Sequence, residues 1–207
     1  VHGGIIRTPG RLQFNFPEYL ANEKGTNATV RVVRTGGVMG DISANFSTLE
    51  GNGVNSAIGG VDYQPILKRL DFPEGEAIQN LTVEILDDIE IEPDEIVNLE
   101  LSDFAEGTEG LQSKAKLIIT SNDSAIGFGQ PLYSITEGQD GALARIEIQR
   151  FGSLLGELEM AFLTATNGTA QANADFLSVS NRVEFADFET SKFVTVPILD
   201  DDKIEPV

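Results

Sequence analysis

The sequence contains two copies of one long segment, and this internal repeat constrains the fold more than any other feature. Glu137 lies 114 positions after Glu23, and Arg150 lies 116 positions after Arg34. Later pairs keep an offset of 113, as from Asp62 to Asp175. A repeat of this length, with small insertions and deletions only in turns, predicts two copies of one domain.

The repeat also predicts where each domain begins and ends. We expect the first domain to span residues 1–122, with residues 1–10 as an N-terminal leader or arm, and the second to span residues 123–207. The join falls near Ser121–Ser124, which reads as a short turn because it lacks the length of a flexible linker. The opening Val-His-Gly-Gly indicates a piece of a longer protein.

The two copies are not equally complete. The first copy continues after Pro93 through two apolar segments, residues 96–101 and 115–120, whereas the second copy stops at Val207. We therefore expect the second domain to lack its last two strands in this sequence. A sheet edge left in this way is a template for pairing. Either the natural chain continues, or a neighbouring chain supplies the missing strands by strand exchange.

Apolar and polar residues alternate in several short runs, a pattern typical of half-buried β-strands. The clearest runs are residues 29–32, 42–46, 81–85 and 97–101. Turn-forming sequences separate them, including Thr35-Gly36-Gly37 and residues 50–53. Short strands at this spacing predict an all-β fold of two antiparallel sandwiches in tandem.

The composition excludes several classes of function. The chain has 14 Lys and Arg against 33 Asp and Glu, a net charge of −19, so phosphate backbones would repel it and cations are the expected partners. It has no cysteine and one histidine, which removes disulfides, thiolate zinc sites and histidine-based catalytic triads. No apolar run reaches the length of about 18 residues that a membrane helix needs.

Acidic residues are concentrated in one loop of each copy. Residues 87–95 contain six carboxylates, and residues 200–205 contain four at the matching place. Calcium takes about 6–8 oxygen ligands and accepts bidentate carboxylates, so such a loop predicts a calcium site. Softer metals would find few ligands in this chain.

A second interpretation of these residues stays open. In so acidic a protein, one acidic loop is also explained as a solvated turn. The recurrence of the loop in both copies, together with Glu23/Glu137 and Asp62/Asp175, favours a site. Asp62 and Asp175 are explained equally well as turn formers whose side chains cap the local backbone.

These residues together resemble the Calx-beta domain, which occurs in tandem in the regulatory loop of sodium–calcium exchangers, in an integrin β subunit and in many extracellular and bacterial surface proteins. The resemblance covers essentially the whole chain. It rests on the order and spacing of Glu23, Arg34–Gly37, Val61-Asp62-Tyr63, Phe72–Glu76 and Ile85–Glu95, which recur in the second copy. It implies immunoglobulin-like Greek-key sandwiches of seven strands, which in the exchangers bind calcium at the loop end near the next domain.

The resemblance also implies a set of metal ligands. In the first copy they are Glu23, Asp62, Asp87, Asp88, Glu92, Glu95 and Asp123. In the second copy they are Glu137, Asp175, Asp200, Asp201, Asp202 and Glu205, a set that is incomplete because the closing segment is missing. The strongest calcium binders of the family show a run of aspartates where this chain has only Asp123.

Other prominent residues are expected to be structural. Arg34 and Arg150 end strands beside Gly-rich hairpins and are interpreted as ion-pair or packing residues. Seven phenylalanines are assigned to the core by their place in the strand pattern: Phe14, Phe16, Phe46, Phe72, Phe128, Phe162 and Phe185.

The leading functional hypothesis is a non-enzymatic calcium-binding module of a larger surface or secreted protein, in which calcium stiffens an array of repeats for adhesion or cell communication. Its partners would be calcium, adjacent repeats and other surface proteins. One alternative is a calcium sensor that regulates an attached transporter, and another is a metal-free structural spacer. A glycosidase built on a carboxylate pair is disfavoured, because the chain has no Trp and three Tyr to form sugar platforms.

Overall fold

The computed structural model describes residues 8–51, 53–138, 141–165 and 168–200. The chain divides into two compact units, Val1–Asn122 (unit 1) and Asp123–Val207 (unit 2). Among the described residues every regular element is a β-strand. The fold prediction is confirmed: the chain is all-β and consists of two immunoglobulin-like sandwiches in tandem.

The described residues of unit 1 form nine strands in two sheets. They are β1 (Arg11–Phe14), β2 (Glu18–Asn22), β3 (Asn27–Thr35), β4 (Ile42–Leu49), β5 (Leu67–Phe72), β6 (Ile78–Glu84), β7 (Glu95–Ala105), β8 (Thr108–Glu109) and β9 (Lys114–Thr120). One sheet has the order β6-β3-β1-β8 and the other β2-β9-β7-β4-β5. The alternating residues of both sheets meet in one core, which includes Phe14, Phe46, Tyr63, Phe72, Leu99 and Leu117.

Unit 2 repeats part of this arrangement. Its strands are β10 (Ser124–Phe128), β11 (Leu143–Gly152), β12 (Leu158–Leu163), β13 (Ser180–Phe185) and β14 (Ser191–Pro197). They form a sheet of order β10-β11-β14 and a pair β12-β13. Ile126 pairs with Arg150 as Leu12 pairs with Arg34, so the register is the same in both copies.

The described residues of unit 2 include no counterpart of β7 or β9, as predicted. They also form no strand at residues 131–138, the counterpart of β2. The reason is strand pairing, because β2 forms parallel hydrogen bonds with β9. A strand at residues 131–138 without such a partner would leave its backbone N–H and C=O groups to bond with water.

Two of the seven phenylalanines assigned to the core are exposed, so that prediction is wrong for Phe16 and Phe128. Phe16 is 57% exposed and lies in the turn between β1 and β2, where strand alternation does not apply. Phe128 is 61% exposed although its counterpart Phe14 is 1% exposed. Phe14 packs edge-to-face against Tyr19 of β2, whereas the described residues of unit 2 form no counterpart of β2 to cover Phe128.

No helix in the described part of the chain has the length and apolar character needed to cross a lipid bilayer.

One buried arginine in each unit, Arg34 on β3 and Arg150 on β11, ties the hairpin that follows its strand to its surroundings. The Arg34 guanidinium donates to the carbonyl oxygens of Pro9, Phe72, Pro73, Met39 and Gly40. Arg150 donates to the carbonyl oxygens of Ser153, Leu155 and Gly156 and to Ser124 Oγ. Gly40 and Gly156 have φ of 67° and 77°, a conformation that favours glycine. Both arginines are therefore structural, bound to backbone carbonyls.

Replacing Arg34 tests this role. We expect Arg34→Met to lower the free energy of unfolding of unit 1 by about 3 kcal/mol or more, because each buried carbonyl that loses its donor costs about 1–3 kcal/mol. Urea denaturation followed by circular dichroism measures the change. Arg31→Met is the matched control, since Arg31 is exposed on the same strand, and it should change stability by less than about 0.5 kcal/mol. Equal effects of the two substitutions would contradict the structural role of Arg34.

Candidate metal centre

Five acidic side chains of unit 1 lie together where loops follow the ends of several strands. Glu23 follows β2, Asp62 precedes β5, Asp88 and Glu92 lie between β6 and β7, and Glu95 begins β7. We call these five residues the acidic cluster.

The backbone fixes the positions of these residues. The Glu23 N–H donates to the Thr120 carbonyl at 3.0 Å, which ties the end of β2 to β9. Tyr63 forms a β-bridge with Ile85, and the Leu86 N–H donates to the Asp62 carbonyl at 2.9 Å. The residue before the buried Tyr63 is thus held beside the start of the acidic loop.

The carboxylates of the acidic cluster are close to one another. Asp62, Asp88 and Glu92 each offer one oxygen within 4.8 Å of the others, and Asp88 offers one within the same distance of Glu23. The Glu95 carboxyl lies beside that of Asp62. Glu23 and Asp62 are 5% and 6% exposed. Oxygen donors alone at this spacing suit a hard divalent cation such as calcium.

Two members of the cluster also shape the backbone around them. The Ile58 N–H donates to Asp62 Oδ2 at 2.6 Å, and the Glu90 N–H donates to Asp88 Oδ1 at 2.7 Å. Asp62 is therefore a turn former, which was one of the two interpretations of this residue. A carboxylate has two oxygens and further lone pairs, so a cap does not prevent it from binding a cation.

Crowding of the carboxylates raises their affinity for protons. Burial, followed by the hydrogen bond and charge of Asp62 and the charges of Glu92 and Glu23, raises the pKa of Glu95 to about 7. Burial and the charges of Asp62, Asp88, Glu23 and Glu90 raise the pKa of Glu92 as well. A bound cation would relieve the same repulsion, so protons and a cation compete for the cluster.

The first copy has two further predicted ligands, Asp87 and Asp123. Asp87 is exposed, unlike Glu23 and Asp62, and it belongs to neither group of converging carboxylates found among the described residues. Asp123 is the first residue of unit 2, and its carbonyl accepts a hydrogen bond from the Ser153 N–H at 2.7 Å. Both stay predictions as ligands.

The second copy reproduces part of the site. Glu137 and Asp175 line the same cavity of unit 2, and the Gln171 N–H donates to Asp175 Oδ2 at 2.6 Å, as Ile58 does to Asp62. Asp200 is exposed. Asp201, Asp202 and Glu205 lie outside the described residues, and within the described part of unit 2 no three carboxylates converge.

The raised pKa of Glu95 makes the stability of the metal-free protein depend on pH. A carboxyl whose pKa is higher in the folded than in the unfolded state binds more protons when folded, so stability falls as pH rises. We expect the free energy of unfolding of unit 1, measured by urea denaturation in chelator, to fall between about pH 5 and pH 8.

Removing the charge of Glu95 should weaken that dependence. Glu95→Gln should reduce the decrease in the free energy of unfolding between about pH 5 and pH 8. At pH 8 unit 1 of the variant should be more stable than unit 1 of the parent protein, because the buried charge is gone. Glu18→Gln is the matched control, an exposed position at the start of β2, and it should leave the slope unchanged. A parent protein whose stability rises over this range would contradict the assignment.

Comparison with known proteins identifies the architecture. The sequence matches the Calx-beta domain over residues 6–123 and again over residues 120–207. It is 31% identical over 205 residues to Extracellular matrix protein 3 of Lytechinus variegatus, covering 93% of this chain and 6% of that protein. It is 27% identical over 202 residues to the sodium/calcium exchanger Calx of Drosophila melanogaster, covering 95% of this chain and 20% of the exchanger.

A solved structure agrees with these matches. The crystal structure of the calcium binding domain CBD12 of CALX1.1 superposes with a TM-score of 0.56 at 27% identity, covering 92% of this chain and 76% of that one. The chain thus spans a small part of its curated relatives and most of a two-domain structure. Both copies of the repeat fall within matches to one family, which confirms the resemblance drawn from the sequence. The chain belongs to the Calx-beta domain family and contains two consecutive matches to it.

Proposed function

We propose that this chain is a calcium-binding, non-enzymatic module of a larger surface or secreted protein. The observation that carries the proposal is the acidic cluster, in which two buried carboxylates and three neighbours converge with oxygen donors only. The similarity to the crystal structure of the calcium binding domain CBD12 of CALX1.1 supports calcium as the ion. The similarity to an extracellular matrix protein supports a location outside the cell or at its surface.

The first site is centred on the acidic cluster, with Asp87 and Asp123 as further ligands. The second site is built from Glu137, Asp175, Asp200, Asp201, Asp202 and Glu205 and is incomplete. The boundary between the two repeats along the chain falls at residues 122 and 123. In this function the partners are calcium ions, adjacent repeats of the same polypeptide and other surface proteins.

We further propose that calcium stiffens the array of repeats, which serves adhesion or cell communication. Only three residues separate the end of β9 from the start of β10, so the connection is short. Asp123 lies within it, so a cation bound by the loop end of unit 1 could draw this connection into its coordination. Neutralising repulsive carboxylates beside a short connection would restrict its motion.

A calcium sensor that regulates an attached transporter is the second candidate, and the similarity to the exchanger favours it. The two functions differ in affinity. Sensors bind calcium at about 10⁻⁷–10⁻⁵ M, whereas extracellular modules bind at about 10⁻⁴–10⁻³ M. A metal-free spacer would show no calcium dependence at all.

Calcium should stabilise unit 1 against heat. A ligand that binds only the folded state at 100 times its dissociation constant stabilises it by about 2.7 kcal/mol, which corresponds to a shift of several degrees in Tm. We expect this shift in Tm when calcium is titrated to millimolar concentration into chelator-treated protein. The calcium concentration at the midpoint of the titration distinguishes the two functions, since an extracellular module binds calcium more weakly than a sensor.

Two substitutions in the same loop assign the shift to the acidic cluster. Asp88→Asn should abolish most of it, because the Asp88 carboxylate lies close to those of Asp62, Glu92 and Glu23. Asp94→Asn should retain it, because Asp94 is exposed in the same loop and belongs to neither group of converging carboxylates. A wild-type protein without any shift would instead support the metal-free spacer.

Stiffening makes a separate prediction for the pair of units. Small-angle scattering should give a narrower distribution of interdomain distances with calcium than with chelator. Asp88→Asn should remove the difference, and Asp94→Asn should keep it. Identical distributions in calcium and chelator, in a protein that shows the thermal shift, would retain calcium binding and refute stiffening.

A further inference from the structure

Asn22 joins the ends of two strands of unit 1. It is the last residue of β2, and its partner in the parallel pair is Thr120, the last residue of β9. The side-chain nitrogen of Asn22, Nδ2, donates to the Thr120 carbonyl oxygen at 3.2 Å and to Thr120 Oγ1 at 3.1 Å. Thr120 Oγ1 in turn donates to the carbonyl oxygen of Ala21 at 3.3 Å. We call the contacts between Asn22 and Thr120 the strand-end clamp.

The rest of Asn22 shapes the turn that carries Glu23. Asn22 Oδ1 accepts a hydrogen bond from the Lys24 N–H at 3.2 Å, and the Asn22 carbonyl accepts one from the Gly25 N–H at 2.8 Å. The Glu23 N–H donates to the same Thr120 carbonyl at 3.0 Å. Glu23 is therefore restrained by a tight turn on one side and by the end of β9 on the other.

The two ends of the Asn22 amide are not interchangeable. The Lys24 N–H requires an acceptor and the Thr120 carbonyl requires a donor, so a side chain at this position must supply both. Aspartate has the shape of asparagine and keeps the acceptor, but it has no donor for Thr120. The second copy has Thr136 at this position, so the repeat itself does not require asparagine.

Glu23 is a buried carboxylate that lies beside other carboxylates and is repelled by them. It is 5% exposed, and one of its oxygens lies within 4.8 Å of an Asp88 oxygen. The charge of Glu23 also contributes to the raised pKa of Glu92. Asn22 is neutral, so it can hold the backbone of Glu23 in place without adding to this repulsion.

The strand-end clamp also restrains the chain that leaves β9. Asn22 and Thr120 are 98 positions apart, and residues 121–123 follow Thr120 directly. Asp123 is a further ligand in the proposed function. Asn22 is thus bonded to the backbone of one ligand-bearing segment and belongs to the turn of another.

We propose that Asn22 is a positioning residue for the calcium site of unit 1, a role that rests on the proposed calcium function. The strand-end clamp holds Glu23 and the start of the segment to Asp123 in place before calcium binds. Ligands that are already positioned lose less conformational entropy on binding. Outer residues that orient metal ligands typically change metal affinity by about 10–100-fold when they are replaced.

Calorimetric titration of calcium into the chelator-treated chain tests this role. Asn22→Ala should raise the dissociation constant for calcium about tenfold. Asn22→Asp should also raise it, although the added negative charge by itself attracts a cation, because aspartate cannot donate to Thr120. Asn80→Ala is the matched control, since Asn80 is exposed on β6 and accepts a hydrogen bond from Arg31, and it should leave the dissociation constant unchanged.

Ile42→Val separates positioning from a general loss of stability. Ile42 is 3% exposed in the core of unit 1, and it pairs with Phe72 at the end of β4 that lies away from the acidic cluster. Removing one buried methylene group should lower the Tm. It should leave the calcium dissociation constant unchanged, measured at a temperature at which circular dichroism shows every variant to be folded.

Amide hydrogen exchange in chelator gives a readout that does not involve calcium. The Glu23 N–H is protected by its bond to the Thr120 carbonyl. In Asn22→Ala this amide should exchange faster, because the strand-end clamp that fixes Thr120 is lost. In Ile42→Val it should exchange at the rate of the wild-type protein under conditions where local opening dominates.

Three results would overturn the positioning role. They are an unchanged calcium affinity in Asn22→Ala, a tighter affinity in Asn22→Asp, and a loss of affinity in Ile42→Val as large as that in Asn22→Ala. A wild-type chain that binds no calcium would refute the calcium function and this role with it. The two failures are distinguishable, because only the second is visible in the wild-type titration.

Discussion

The central position of β7 is the constraint on which both the core and the acidic cluster of unit 1 depend. β7 lies between β4 and β9 and buries Val97, Leu99 and Leu101. Each such side chain contributes about 1.5–3 kcal/mol when fully buried. The same strand begins at Glu95, whose pairing with Ile119 fixes its place beside Asp62. The packing of apolar side chains thus holds an acidic group where electrostatics alone would repel it.

Local hydrogen bonds orient the acidic cluster independently of any cation. The backbone N–H groups of Ile58 and Glu90 hold Asp62 and Asp88. Asp175 has the same cap at the same distance in unit 2, where the described residues include no strand equivalent to β7. The cap therefore belongs to the turn, since it is present in unit 2 without such a strand among the described residues. A cation binding to side chains that are already oriented would lose less conformational entropy.

The sequence predicts most of the fold but only part of the site. Alternation identifies the strands, and the constant offset identifies two copies, because both follow from periodicity along the chain. Neither the alternation nor the repeat predicts that Asp88 joins the acidic cluster while its neighbour Asp87 does not, since a loop has no fixed side-chain period. The raised pKa of Glu95 also escapes prediction, because it arises from its burial beside Asp62, 33 positions earlier. The exposure of Phe128 could not be predicted for a related reason. Alternation shows which face of a strand a residue lies on, but not whether another sheet covers that face.

The turn that carries Asp62 forms in both units, whereas the position of Glu95 depends on the sheet of unit 1. Asp175 is held by the same cap as Asp62 and lines a cavity of unit 2 with Glu137. Within the described part of unit 2, no three carboxylates converge. In unit 1, β7 lies between β4 and β9 and places Glu95 beside Asp62, where burial and the neighbouring charges raise its pKa. The aspartate of the turn is therefore oriented locally, and the acidic group that meets it is positioned by the packing of a strand distant in sequence.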